Sequence, residues 1–228
     1  MIDYRRIIEE SAEPDYAEFT SKLIPGKTGI KGVRAPALKK LAKQIVKDDW
    51  EDFLEEEPLC YEEELLKGLV IATAPMDTER RIAYTESFLG HIDNWATCDS
   101  FCAAWKVPEG DRDRIYGYFA SLMDSGECYR MRVSMVFRMD HFIDEGHVRD
   151  ILQDIVDCTC EEYYCRMGAA WAVSFCYIKF PDITTEYLRM EGMDDWVCNK
   201  SIQKIRESYR VTDAQKEFVR SLKRTRIN

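Results

Sequence analysis

The sequence predicts an all-α fold: short helices stacked as degenerate repeats in a single domain over residues 1–228. Two observations lead there. Apolar residues return at spacings of three and four almost everywhere, the pattern of one helix face, while the strict alternation of a half-buried strand is hard to find. Proline and glycine punctuate the chain at short, fairly regular intervals, which limits each helix to a few turns.

Taken in order, Pro14 opens a first clear segment that ends in the PGKTG turn at 25–29. Pro36 precedes the stripe Leu38, Leu41, Ala42 and Ile45, and Pro58 precedes Leu65, Leu66, Leu69 and Val70. Pro75, Pro108 with Gly110, Ser125 with Gly126, Gly146, Pro181 and Gly192 mark the remaining breaks. The expectation is about a dozen or more short helices and no strand. Three predicted helix starts look alike, DDW at 48–50, DNW at 93–95 and DDW at 194–196, each an acidic or amide cap followed by an indole in the first turn. Helix pairs stacked in a repeating array would produce that echo. No linker or low-complexity segment divides the chain.

A hydrophobic content of 46% over 228 residues is enough for one substantial core. The opening MIDYRRIIEE is not a charged stretch followed by an apolar run, and the longest near-apolar run, 168–178, is too short to span a bilayer. A soluble, cytoplasmic protein is expected. The nine cysteines are odd in number and sit mostly in apolar, helical surroundings, which reads as reduced thiols. Cys158, Cys160 and Cys165 come nearest to a metal cluster, but without a CxxC pair or an HxxxH the spacing does not make a zinc site, and no cofactor is expected.

The formal net charge of −10 argues at face value against a polyanionic partner. Its distribution argues the other way. Residues 22–43 hold seven Lys or Arg and no acid, residues 200–228 hold nine against three acids, and ten acids without a base fill 48–64. Segregation of this kind suggests one basic and one acidic face, although solvated helix faces of arbitrary sign fit it too.

Familiar catalytic patterns are missing. GKT in PGKTG lacks the glycine a phosphate loop needs five residues before Gly26, since position 21 is serine. GxGxxG, HExxH and GxSxG do not occur, and with only His91, His141 and His147 a histidine-based triad has little to draw on.

HIDNWATCDSF, 91–101, carries a different signal. On a helix beginning near Asp93, Trp95 and Asp99 lie one turn apart on a face continued by Cys102 and Lys106, while Cys98, Phe101 and Trp105 form a separate apolar stripe. An indole beside a carboxylate suits a ligand site, and a part-buried tryptophan beside a surface acid fits the same spacing. In CYRMRVSMVFRMDHFI, 128–143, Arg132 falls in the middle of an apolar stripe and needs an anion there, either a carboxylate such as Asp99 or a ligand phosphate. Trp171, on a stripe with Tyr164, Met167, Phe175 and Ile178, reads by itself as a core tryptophan.

GIKGVRAPALKKLAKQI (29–45), EELLKGLVI (63–71), IDNWATCDSF (92–101), MRVSMVFRMDHFI (131–143), YYCRMGAAWAVSFCYIKFP (163–181) and NKSIQKIRESYRV (199–211) together resemble the AlkD-type DNA alkylation repair family, in order over roughly residues 15–225. The resemblance implies HEAT-like repeats curved into a solenoid with a concave, basic channel for double-stranded DNA. It also implies a glycosylase that removes cationic alkylated purines, such as 3-methyladenine and 7-methylguanine, with no cofactor and acting as a monomer. The family's catalytic Trp, Asp, Arg and Trp match Trp95, Asp99, Arg132 and Trp171, with Arg132 holding a backbone phosphate. A further family tyrosine near the chain start has Tyr16 and Phe19 as candidates here. The basic stretches offer Lys27, Lys31, Arg34, Lys39, Lys200, Lys204, Arg206 and Arg210 as DNA contacts. Two rival readings are a DNA-binding repeat protein without catalysis and a protein interaction scaffold.

Overall fold

The computed structural model describes residues 2–224, and among these it contains fourteen α-helices, two short 3-10 helices and no strand. The chain groups into two compact units, Met1–Arg112 and Asp113–Asn228. The division falls at the start of a helix, where the sequence has no linker composition.

The first unit contains α1 (Tyr4–Glu10), α2 (Pro14–Leu23), α3 (Ala35–Ile45), α4 (Trp50–Glu55), α5 (Tyr61–Thr73), α6 (Thr78–Leu89) and α7 (Trp95–Ala104). Pro14 and Pro36 stand in the first turns of α2 and α3, where the missing N–H has no helical partner to lose. Helix α3 buries Leu38, Leu41, Ala42 and Ile45, the stripe its spacing predicts. Helix α5 is buried almost all round and packs on α3, α4, α6 and α7. Its last turn is capped by Arg81, which donates to the carbonyls of Ile71 and Ala74, both at 2.7 Å, and lies over the Trp105 ring.

The acidic run at 48–64 is not a uniformly solvated face. Glu62 is fully buried and accepts the backbone N–H groups of Lys31, Gly32 and Val33 at 3.0, 2.8 and 3.2 Å, so a carboxylate on α5 holds the loop that leads into α3. Glu63 accepts from Leu59 N and from Arg5. Three amides, two of them buried, share one carboxylate and make Glu62→Ala costly, about 2–4 kcal/mol, because the buried donors lose their acceptor. Urea unfolding should show a fall in midpoint of that size.

The second unit contains α8 (Arg112–Ser121), α9 (Cys128–His141), α10 (Val148–Asp157), α11 (Tyr163–Lys179), α12 (Pro181–Leu188), α13 (Asp195–Glu207) and α14 (Asp213–Ser221). Here α11 is central and packs on α9, α10, α12 and α13. Alternate helices line up in each unit, α3–α5–α7 in one and α9–α11–α13 in the other, with intervening helices packed behind, the packing of a helical repeat array. Arg138 is fully buried in the second unit and ties α9 to α10 through Asp154 at 2.5 Å.

The three look-alike helix starts are real caps. Asp49, Asn94 and Asp194 each accept from a backbone N–H three residues on, at 3.5, 2.9 and 2.8 Å, with Trp50, Trp95 and Trp196 in the first turn. Only α7 and α13 occupy matching places, each third in its aligned layer; α4 packs behind, so that member of the echo reflects capping chemistry alone. All nine cysteines are free thiols, seven of them buried. Among the described residues no helix is long and apolar enough to cross a membrane.

Candidate functional site

In the first unit the site is built on α7. Asn94 starts the helix by accepting from Thr97 N and is itself buried, which sets Trp95 at the first helical position. The Trp95 indole N–H donates to the Leu23 carbonyl at the end of α2, 3.0 Å away, so the ring is held across two helices. Asp99, one turn on, shares the half-exposed side of α7 with Trp95 and Ser100, whereas Cys98, Phe101 and Cys102 are buried. The predicted face is therefore narrower than its spacing implied. Cys102 belongs to the core, and Lys106 lies beyond the helix, which ends at Ala104.

A cleft of about 140 Å³ opens beside this face, lined by Tyr16, Leu23, Leu38, Tyr61, Trp95 and Ser100, among others. It separates the two aromatic candidates near the chain start. Tyr16 lines the cleft, with Arg34 over its ring at 4.6 Å, while Phe19 is 53% exposed and not part of the lining. Ser100 also borders a neighbouring depression of about 230 Å³ with Lys39 and Lys43 on its rim, so the aromatic cleft continues into a basic edge. Lys43 was a member of the basic run that sequence reasoning did not single out.

Other basic residues of that run have protein partners. Lys27, expected to contact DNA, is part-buried between Glu64 and Asp93, with Nζ 2.9 Å from the Asp93 carboxylate. Burial pulls its pKa down, but the hydrogen bonds to Glu64 and Asp93 outweigh this and hold the ammonium above its usual range. Its ammonium is already engaged by two carboxylates, which a phosphate would have to displace. Lys31 pairs with Glu9 at 2.6 Å, and Arg34 grips Glu13 through two nitrogens, so both would have to exchange a surface carboxylate for a phosphate.

In the second unit the structure reverses the expected facing of α11. Trp171 and the rest of its stripe, Tyr164, Met167, Phe175 and Ile178, are half-exposed, and the buried side is made of Cys165, Ala169, Ala172, Val173 and Cys176. Small residues let α9 and α13 approach closely, which leaves the large rings outside. Trp171 then lines an open cleft of about 350 Å³ with Phe175, Lys204, Tyr209 and Arg210. Arg210 lies over the Phe175 ring at 5.3 Å, and Tyr209 is fully exposed, an aromatic beside cations that sequence reasoning passed over. Lys200 and Arg206 line a separate groove of about 320 Å³ with Trp196 and Lys223.

Arg132 is 3% exposed and gives Nη1 to the Tyr164 carbonyl at 2.7 Å. Gly168 makes room for it, since a Cβ there would stand 3.2 Å from Arg132 Cγ. A guanidinium this deeply buried acts inside the protein. Its bond to the Tyr164 carbonyl ties α9 to the start of α11.

A family model described as DNA alkylation repair enzyme matches residues 5–213. The chain belongs to the DNA alkylation repair enzyme family. A comparison with curated proteins returns no match. As a member of this repair family the protein has DNA as its partner.

Proposed function

We propose that this repair protein is a DNA glycosylase that hydrolyses the N-glycosidic bond of cationic N-alkylated purines in duplex DNA, 3-methyladenine and 7-methylguanine among them, acting as a monomer. The observation that supports it best is the placement of Asp99 one helical turn from Trp95 on the half-exposed side of α7, beside a cleft with a basic edge.

The chemistry asks little more of the protein. An N-alkylated purine already carries a positive charge, so on C1′–N cleavage the base leaves neutral with the bonding pair and positive charge develops on the deoxyribose. Asp99 stabilises that charge and orients the water that attacks C1′, whose proton passes to solvent or to the carboxylate. Trp95 offers an electron-rich face to the cationic sugar, worth about 0.5–2 kcal/mol. On the second unit, the half-exposed Trp171 with Lys204 and Arg210 forms a surface suited to a nucleotide, ring to base and cations to phosphate. Arg132 positions the start of α11, which carries Trp171.

Release of 7-methylguanine and 3-methyladenine from methylated duplex DNA at low salt tests the reading. Wild-type protein is expected to release both; binding without release would leave a non-catalytic DNA binder. Replacing Lys39 and Lys43 together by Glu should weaken DNA binding by tenfold or more and flatten the plot of log affinity against log salt by about two units, since each phosphate contact contributes about one. An unchanged slope would remove this rim from the interface.

A further inference from the structure

Away from the aromatic clefts, the second unit brings Cys128 to three thiols that lie close together in the chain, Cys158, Cys160 and Cys165. Cys128 opens α9, Cys158 and Cys160 lie in the turn between α10 and α11, and Cys165 is in the first turn of α11, which begins after Glu162. The donor atoms of Cys128, Cys160 and Glu162 all lie within 4.8 Å of one another. The Cys165 thiol stands 4.0 Å from that of Cys158 and also faces that of Cys160. No other group of three His, Cys, Asp or Glu donors comes this close together among the described residues.

We propose that Cys128, Cys160 and Glu162, with Cys165 as the fourth donor, form a structural Zn2+ site that pins the start of α9 to the α10–α11 turn. Three soft sulfurs and one carboxylate oxygen suit zinc: calcium and magnesium take oxygen sets, and a carboxylate is a poor match for copper(I). Sulfurs around tetrahedral zinc lie about 3.8 Å apart, given Zn–S bonds of about 2.3 Å, so Cys128, Cys160 and Glu162, whose donors already lie within 4.8 Å of one another, would close on the ion while Cys165 turns in from beside Cys158 and Cys160. Burial grades from Cys128, inside, through Cys160 to the exposed Glu162, which leaves a path for the ion from solvent. Binding releases thiol protons, so affinity falls as pH is lowered.

The placement explains why such a site would be useful. Arg132 follows Cys128 by one turn, and the carbonyl it holds belongs to Tyr164, next to Cys165. A metal here fixes both backbones that Arg132 spans. The site stands independently of the glycosylase reading, since its test measures metal rather than base release.

The experiment strips the full chain of metal under reducing conditions and titrates it with Zn2+ against a chromophoric chelator, then repeats the titration with Co2+. One Zn2+ per chain is expected, with a Tm that rises with free Zn2+ and a cobalt spectrum showing tetrahedral geometry and thiolate charge transfer. Disturbing a group that only orients a ligand costs about 10–100-fold in affinity, so Cys160→Ser, at a half-exposed position, should lose ~100-fold or more. Glu162→Gln, on an exposed side chain, supplies the same reading should Cys160→Ser fail to fold, and Cys60→Ser should bind like wild type. The proposal is overturned if the stripped, reduced chain takes up no zinc, or if Cys160→Ser and Glu162→Gln both bind it unchanged. Loss of two titratable thiols in unreduced, metal-free protein would also overturn it, replacing the site with a disulfide.

Discussion

Asp99→Asn is expected to slow base release from methylated duplex DNA by ~100- to 1000-fold under single-turnover conditions, the range found when one preorganised electrostatic group is removed from an active site. The change keeps size and shape and deletes one negative charge. Bond cleavage builds positive charge on the sugar, so the carboxylate is worth more in the transition state than in the bound complex, and the loss should fall on the rate of the chemical step. DNA affinity should hold or improve slightly, because on the proposed reading a negative charge is removed from a surface that would meet phosphates. Saturating-enzyme kinetics separate the two quantities. Equal rates for Asp99→Asn and wild type would remove Asp99 from the chemistry and, with it, the main support for the glycosylase reading.

Gly32→Ala is expected to be the most damaging single-methyl change in the first unit. Gly32 has φ +88, a conformation that side chains rarely adopt, and an added Cβ would lie 2.2 Å from the Glu13 carbonyl oxygen and 2.6 Å from Ala17 N. Both atoms are backbone at the start of α2, so the helix itself would have to move. A left-handed alanine costs roughly 1–2 kcal/mol and overpacking typically another 1–3, giving about 2–5 kcal/mol in total. Helix α2 also carries Tyr16 and the Leu23 carbonyl that holds Trp95, so activity should fall alongside stability. A urea midpoint matching wild type would show that the loop and α2 are not in the contact described.

The two effects can be told apart because they rest on different physics. Asp99→Asn is read in the rate of the chemical step at saturating enzyme, whereas Gly32→Ala should lower the unfolding midpoint before any rate is measured.

The sequence by itself determined most of what is local. Helix faces follow from a period set by the backbone, so Leu38 to Ile45 could be assigned to the core without knowing what they pack against. Caps are similarly short-range: Asn94 and Asp194 satisfy amides three residues away, and their side chains could be read directly from DNW and DDW. The family was legible for another reason, since its motifs follow in order along most of the chain.

Tertiary structure decided whatever depends on partners distant in the chain. Helix α11 is apolar on two sides, and periodicity cannot choose between them; close packing by α9 and α13 selected the side of Cys165, Ala169 and Ala172 and turned Trp171 outward. Lys27 read as a free cation because Glu64 and Asp93, 37 and 66 residues away, are invisible to local pattern. Tyr16 was separated from Phe19 only by the cleft, and Cys128 joined Cys160 only when α9 came to lie against the α10–α11 turn. Backbone geometry repeats every few residues and can be read from a short stretch of chain, whereas charge pairing and burial are settled by which surfaces meet.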